Sequence, residues 1–289
     1  MDTDTAQHDA AHRAMTDDGG FRVIAARTTE TVRAAVAAQK VTGDDARMLG
    51  ELITGAILLR ETMAPSLRVQ GILQTEALTV VADAHPDGGT RGLVQRPRRR
   101  PEDRAALAAN PLLAMMRSLP NGALQRGTVQ VPPGDGGLSR ALCAYLQESE
   151  QSVGLVSVGV VMEGDTVAAA GGYLVQLLPE LSEEMLAVMT FRLEEFPPIE
   201  TLLAQTGAAP RALIEEVLYR MPFTLLAESP LRFQCRCDET RLLASLASVP
   251  REEIQSMVDA AEPLEITCDY CGHEYRIAVE SLRGLLTPS

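Results

Sequence analysis

The amino-acid sequence predicts an α+β fold: a β-sheet core domain with a buried helix, a helical linker, and a small C-terminal domain built around four cysteines. Three observations predict it. Strand-like stretches dominate residues 21–178, with helical segments set apart from them rather than following each strand. Residues 179–234 change character to short, Glu-rich helical patterns divided by prolines. Beyond that, Cys235-Arg236-Cys237 and Cys268-Asp269-Tyr270-Cys271 form two close pairs separated by thirty residues.

The chain has 289 residues, enough for one sizeable core and a smaller module. Aromatic residues make up 3% and tryptophan is absent, so the core must be filled by Ala, Leu, Val, Ile and Met. The formal net charge of -13 argues against broad nucleic-acid binding through phosphates and against anionic membrane surfaces. The longest apolar runs, Val153–Met162 and Val167–Leu178, fall short of the ~20 residues a membrane span needs. Residues 1–20 are polar, without the apolar run of a secretory signal, and read as a disordered tail. Four of the five cysteines stand in metal-ligand spacing, which fits a reducing cytoplasm better than a disulfide scaffold.

Taken in order, Phe21–Arg27 alternates and predicts a strand, after which Thr28 or Thr29 caps a helix through Gln39. A second helix runs from Asp44 to about Thr62. Its apolar positions Met48, Leu49, Leu52, Ile53, Ala56, Ile57 and Leu59 cover much of its circumference, which predicts burial. Strands follow over Leu67–Leu73, Leu78–Ala84 and Gly92–Gln95. Arg96–Arg104 reads as a basic loop, a solvated hairpin tip rather than a nucleic-acid contact, because no aromatics are interleaved. Gly127–Val131 is a strand, and Leu138–Gln147 a helix carrying Cys143 in an apolar setting where a thiol is inert. Val153–Met162 and Thr166–Leu178 form a hairpin around Glu163-Gly164-Asp165. The core domain thus covers residues 21–178.

Residues 179–234 supply helical patterns over Ser182–Glu195, Pro198–Gln205 and Pro210–Tyr219, each too short to stand alone in water. They predict a linker of low intrinsic stability. In the remainder, 235–289, helices over Asp238–Ala247 and Pro250–Ala260 lie between the cysteine pairs. A hairpin of Leu264–Thr267 and Tyr275–Val279 flanks the second pair, with Gly272 making the left-handed turn.

Two short chelating loops are the usual way to build a tetrahedral four-thiolate zinc site, so Cys235, Cys237, Cys268 and Cys271 are the expected ligands of one zinc ion. Such a site is coordinatively closed, which leaves no position for an activated water, and no enzyme is expected. His273 is a solvated turn residue rather than a ligand. On spacing alone the plainest reading is a structural zinc that folds a module too small for its own core. Two features favour a switch instead. A disulfide within Cys-X-Cys closes a small ring, and strained disulfides are readily reversed. The linker just upstream also has little stability of its own to lose.

The residues around these cysteines strongly resemble the heat-shock protein 33 family of redox-regulated chaperones. The likeness extends to Leu218-Tyr219-Arg220, to Leu231-Arg232-Phe233-Gln234-Cys235, and to the run Ala170-Gly171-Gly172-Tyr173-Leu174-Val175-Gln176-Leu177-Leu178-Pro179. Ser149-Glu150-Gln151 and Gly55-Ala56-Ile57-Leu58 also fall where members carry similar residues, and the match runs from about Phe21 to Leu286. The resemblance implies an ATP-independent holdase. When reduced, Cys235, Cys237, Cys268 and Cys271 hold zinc and the protein is inactive. Oxidation forms disulfides Cys235–Cys237 and Cys268–Cys271, releases zinc, unfolds the linker and exposes a surface for unfolding client proteins, and the active form is a homodimer. Met185 and Met189 would suit client contact, although core or interface packing is the plainer reading of each taken alone. Asp238-Glu239-Thr240-Arg241 and His273 depart from the family's common pattern without touching the ligands. Two other readings stay open: a constitutive zinc module that binds RNA or a protein partner, and a thiol oxidoreductase using Cys268 and Cys271.

Overall fold

Nineteen residues, Gly43–Glu61, form a helix that is buried on nearly all sides, and the rest of the first unit is laid around it. The computed structural model describes residues 8–63, 66–119, 121–179 and 181–286. The chain divides into two units, Met1–Gln234 and Cys235–Ser289. The first begins with β1 (Ala10–Thr16), β2 (Phe21–Arg27), α1 (Thr29–Gln39) and α2 (Gly43–Glu61). Then come β3 (Val69–Gln74), β4 (Thr79–Ala84), β5 (Gly89–Gln95), α3 (Pro101–Ala109), β6 (Leu112–Ser118) and β7 (Leu124–Gln130). The helix α4 (Gly137–Ser149) leads into the hairpin β8 (Gly154–Glu163) and β9 (Thr166–Leu177). Helices α5 (Glu183–Glu194), α6 (Ile199–Thr206) and α7 (Pro210–Val217) precede β10 (Phe223–Pro230) and β11 (Arg232–Phe233). The second unit holds α8 (Glu239–Leu246), α9 (Arg251–Asp259), β12 (Leu264–Thr267), β13 (Glu274–Ile277) and α10 (Val279–Leu286).

Two sheets make the core. One has the order β10-β1-β2-β9-β8 and is antiparallel throughout. The other has the order β11-β5-β4-β3-β6-β7, antiparallel except for the short parallel pairing of β11 with β5. Helix α2 packs on β3, β4 and β5 of the second sheet and on β2, β8 and β9 of the first. Leu49, Leu52, Ile53, Ala56, Leu58 and Leu59 are fully buried there. The contact is close because small residues permit it. A Cβ at Gly92 would lie 2.5 Å from Leu49 Cδ1, and one at Gly55 would lie 2.6 Å from Leu142 Cδ1.

The five-stranded sheet is covered on both faces, which explains why β2 reads as an almost unbroken apolar run. Ile24 and Ala26 point to α2 and the main core. Phe21, Val23 and Ala25, with Tyr173 and Val175 of β9, point the other way into a second apolar cluster. The cover on that outer face comes from the linker: Met189 of α5, Leu202 and Leu203 of α6, and Leu213, Ile214 and Val217 of α7. Met189 is thus a packing residue in this state.

Four expectations need correction. The disordered tail over residues 1–20 is wrong at Ala10–Thr16, which is a central strand of the first sheet, flanked by β2 and β10. Its inward residues are Ala11 and Ala14, fully buried but small, so the strand lacks the β-branched residues that normally mark one. Residues 1–7 lie outside the described residues. The basic loop Arg96–Arg104 becomes helical at Pro101, where Pro at the first turn and Glu102 and Asp103 after it favour a helix start. Three of its five cations have local partners, Arg96 on Asp45, Arg99 on Thr79 at 2.6 Å and Arg100 on Asp103 at 3.0 Å. Strand β6 went unforeseen because Leu112-Leu113-Ala114-Met115-Met116 is rich in helix formers, and tertiary pairing with β3 and β7 overrides that preference. The linker, expected to be helical to residue 234, ends in two strands, β10 and β11, each at the edge of a different sheet. Among the described residues, no helix is long and apolar enough to cross a membrane.

Asp83 of β4 is fully buried, with Arg68, Arg91 and His85 around it. Arg68 holds it with two side-chain hydrogen bonds, one of 2.8 Å to Oδ2, while Arg91 Nε lies at 3.1 Å and His85 Nε2 at 3.3 Å. Burial alone would raise its pKa, but the hydrogen bonds from His85 and Arg68 outweigh it and bring the carboxyl down to about 2. A depressed carboxylate stabilises the fold above its unfolded pKa and loses that contribution as pH falls through the folded value. Asp83→Asn is expected to cost about 3 kcal/mol at neutral pH. The gap between parent and variant, read from urea midpoints by circular dichroism, should narrow below pH 4, with about half of the Asp83 contribution gone at pH 3.

Candidate metal centre

The four cysteines proposed as ligands come from two backbone turns that the local sequence builds independently. The first turn, Cys235-Arg236-Cys237, runs into α8. Asp238 is the N-cap, its carboxylate accepting from the Arg241 backbone N–H at 2.8 Å. The Arg241 guanidinium donates to the Arg236 carbonyl at 2.7 Å and lies 3.3 Å from Asp238, so the loop is tied to the helix that follows. The second turn joins β12 to β13. Gly272 sits at φ +71°, a conformation that favours glycine, with its N–H donating to the Cys268 carbonyl at 2.8 Å. Cys268 N–H donates to the His273 carbonyl at 2.8 Å and closes the knuckle.

These turns bring all four Sγ atoms within 4.8 Å of one another. The Cys235–Cys268 separation is 3.7 Å and the Cys237–Cys271 separation 3.4 Å. Tetrahedral zinc with Zn–S bonds near 2.3 Å requires sulfur–sulfur edges of about 3.8 Å, so the donor set has the size and chemistry for that ion. All six edges of a tetrahedron are equivalent, so close contacts between the two loops carry no preference for which sulfurs would later pair.

Burial pushes the Cys237 and Cys271 thiols above their usual range, and neighbouring thiols oppose ionisation of Cys271 further. Four clustered thiols cannot become thiolates together without a cation, and a coordinated divalent metal is what deprotonates such groups. Tyr275 hydrogen-bonds the Cys237 thiol, which holds its own phenol above the usual range. Its ring also meets His273 edge-on at 4.5 Å. His273 is exposed and outside the cysteine group, as expected of a turn residue. Tyr275 and Arg241 were not singled out from the sequence; the only signal for them is position, one facing back from β13 and the other three residues past the N-cap. Cys143 lies apart from this centre, on α4. Its Sγ accepts from Val156 N–H at 3.1 Å, and burial pushes its thiol up, the condition of an unreactive cysteine.

Comparison with known proteins agrees over nearly the whole chain. The family model described as "Hsp33 protein" matches residues 9–278. A "33 kDa chaperonin" of Syntrophotalea carbinolica is 32% identical over 95% of this chain and 98% of its own length. Another, from Bacillus subtilis, is 31% identical over 94% and 96%. The crystal structure of the 33 kDa chaperonin from Thermotoga maritima shares the fold, with a TM-score of 0.80 at 23% identity over 97% of this chain and 98% of that one. The chain belongs to the Hsp33 family.

Proposed function

We propose that this protein is a cytoplasmic, ATP-independent holdase chaperone, not an enzyme, and that oxidation of Cys235, Cys237, Cys268 and Cys271 turns it on. The observation that carries the reading is the outer face of the five-stranded sheet. It is apolar, and its cover is α5–α7, a segment joined to Cys235 through β10 and β11. Zinc bound to four thiolates would hold the C-terminal unit folded and keep the sulfurs reduced.

The chemistry balances on the protein's own groups. Cys235 with Cys237, and Cys268 with Cys271, each form one S–S bond and pass two electrons to a peroxide or hypochlorite oxidant, which is reduced as its O–O or O–Cl bond breaks. Disulfide sulfurs no longer bind the ion. The second unit then relies on a core whose buried members are Ile254, Val258, Ile277 and Leu282, too few to keep a domain folded unaided.

Loss of structure would spread backward along the chain. β11 is two residues long, and β10 pairs only with β1, with most of its side chains exposed. The ties to be broken are the seven-pair ladder of β10 on β1, the hydrogen bonds of Leu231 N–H to Asp9 at 3.0 Å, Arg232 N–H to Gly88 at 3.1 Å and Gln234 N–H to Thr90 at 2.8 Å, the Arg232–Asp87 ion pair at 3.1 Å, and the buried Leu231 side chain. Once they part, α7 and α6 lose their C-terminal anchor and can lift from the sheet. Phe21, Val23, Tyr173 and Val175 would then be available to unfolding clients, with the freed linker adding its own apolar side chains. Homodimer formation belongs to the same activated state.

Two measurements test this. Stepwise peroxide or hypochlorite, with released zinc followed by a chromogenic chelator and client aggregation followed in the same sample, should show suppression rising with zinc release and little suppression by the reduced form. Equal activity of both forms would defeat the switch, and zinc that stays bound alongside salt-sensitive RNA binding would favour a constitutive binding module instead. Separately, removing metal by chelation under reducing conditions should abolish amide protection in β12 and β13 while leaving α2 protected, as hydrogen exchange will show.

A further inference from the structure

Just before Cys235 the chain passes over the turn that joins β4 to β5, and two successive glycines there, Gly88 and Gly89, are buried. The turn is fixed from below and from within. The Arg60 guanidinium, at the end of α2, donates to the Pro86 carbonyl. Gly88 N–H donates to the His85 carbonyl at 3.1 Å, and Gly89 N–H to Asp87 Oδ1 at 3.2 Å. On this support Arg232 N–H donates to the Gly88 carbonyl, and Arg232 Nη1 to the Asp87 carbonyl at 2.8 Å. Gln234 N–H reaches the Thr90 carbonyl, and Leu231 joins the main core.

Space decides whether that seat exists. A Cβ on Gly88 would lie 1.9 Å from the Pro230 carbonyl oxygen and 3.0 Å from its carbon. Those are backbone atoms, so no rotamer change relieves the collision, and the segment itself would have to move by about 1 Å or more. Gly88 also has φ +79°, a left-handed turn that favours glycine but that Asn adopts at little cost. The two demands are separable. Gly122, in the turn before β7, has nearly the same φ of +81°, with open space where its Cβ would be. The left-handed turn alone does not need the room that Gly88 leaves, and Pro230 uses it.

We propose that residues 86–89 are the catch of the linker: the notch at Gly88 seats residues 230–234, and a side chain placed in it frees β10 and the helices before it while all four cysteines stay reduced. Strand β10 lies at the edge of its sheet with most of its side chains exposed, so the seated segment is its C-terminal anchor. As a control point for client binding the catch rests on the function proposed above. As a contact within the first unit it stands on the geometry alone.

Hydrogen exchange on the reduced, zinc-loaded, full-length protein tests it. Gly88→Asn suits the turn but fills the notch, and Gly122→Asn makes the same backbone change in the open. Gly88→Asn should raise the opening of the amides of residues 223–233 about tenfold, with zinc content, free thiols and protection of α2 as in the parent. Gly122→Asn should change none of these. Unaltered exchange over residues 223–233 in Gly88→Asn overturns the proposal, and so does an equal rise in Gly122→Asn. Should Gly88→Asn fail to fold, Arg232→Ala decides: a rise of about threefold supports the catch, and no change overturns it. Client aggregation is read on the same samples. Protection by the oxidised parent but not by an opened Gly88→Asn would overturn the catch as a control point. If exchange rises and neither protein protects a client, the catch stands and the chaperone reading falls.

Discussion

An apolar sheet face cannot be left in water, and in this protein the residues that cover it are not part of the core that made it. Phe21, Val23, Ala25, Tyr173 and Val175 present such a face, and six or so side chains from α5–α7 close it. Each buried Leu, Ile or Val contributes about 1.5–3 kcal/mol, while ordering each linker residue costs about 1–2 kcal/mol of backbone entropy. Helix α7 comes out well on that comparison, with Leu213, Ile214 and Val217 buried within eight residues. Helix α5 comes out badly. It has twelve residues and one buried side chain, Met189, and it leaves Val188 and Phe191 exposed. The cover is therefore strongest next to β10 and weakest at its start, and in the proposed mechanism its hold depends on the chain being pinned at the far end.

On the function proposed above, that pin would be the way the cysteine unit matters to a sheet it does not belong to. Its apolar cluster is tiny, so a four-thiolate metal would stand in for the core it lacks. A metal has one property that a hydrophobic core does not: an oxidant can remove its ligands in a single chemical event. The Asp238 cap, the Arg241 bracket and the Gly272 knuckle preset both loops, so the thiols are gathered at one point where they can act together.

Much of this was legible before any coordinates. The four thiols are placed by spacing alone, because Cys-X-Cys and Cys-X-X-Cys each force two sulfurs onto one turn. The burial of α2 is written in the apolar residues around its whole circumference. What escaped was decided by partners distant in sequence. β1 hides behind alanines that are core only because β2 and β10 flank them. The Met-rich β6 is a strand only because β3 and β7 pair with it. The strand ending of the linker follows the same rule, since Phe223–Pro230 finds its ladder on β1, some two hundred residues earlier. Charge placement is likewise invisible along the chain: nothing near Asp83 in sequence announces Arg68 as its partner.

A buried carboxylate shows how placement of charge adds to what packing fixes. Asp83 sits on a strand, and Arg68, Arg91 and His85 come from its own sheet or the turn beside it, so its charge is stabilised entirely within the core. Nothing that happens to the linker alters that ring. The seam between linker and sheet is built differently: the side chains that α6 and α7 bury against it, Ile199, Leu202, Leu203, Leu213, Ile214 and Val217, are all apolar. Parting such a seam would expose apolar area but strand no charge, whereas opening the ring around Asp83 would leave a carboxylate unpaired in the core. The sheet that carries Asp83 is thereby held by charge as well as by packing.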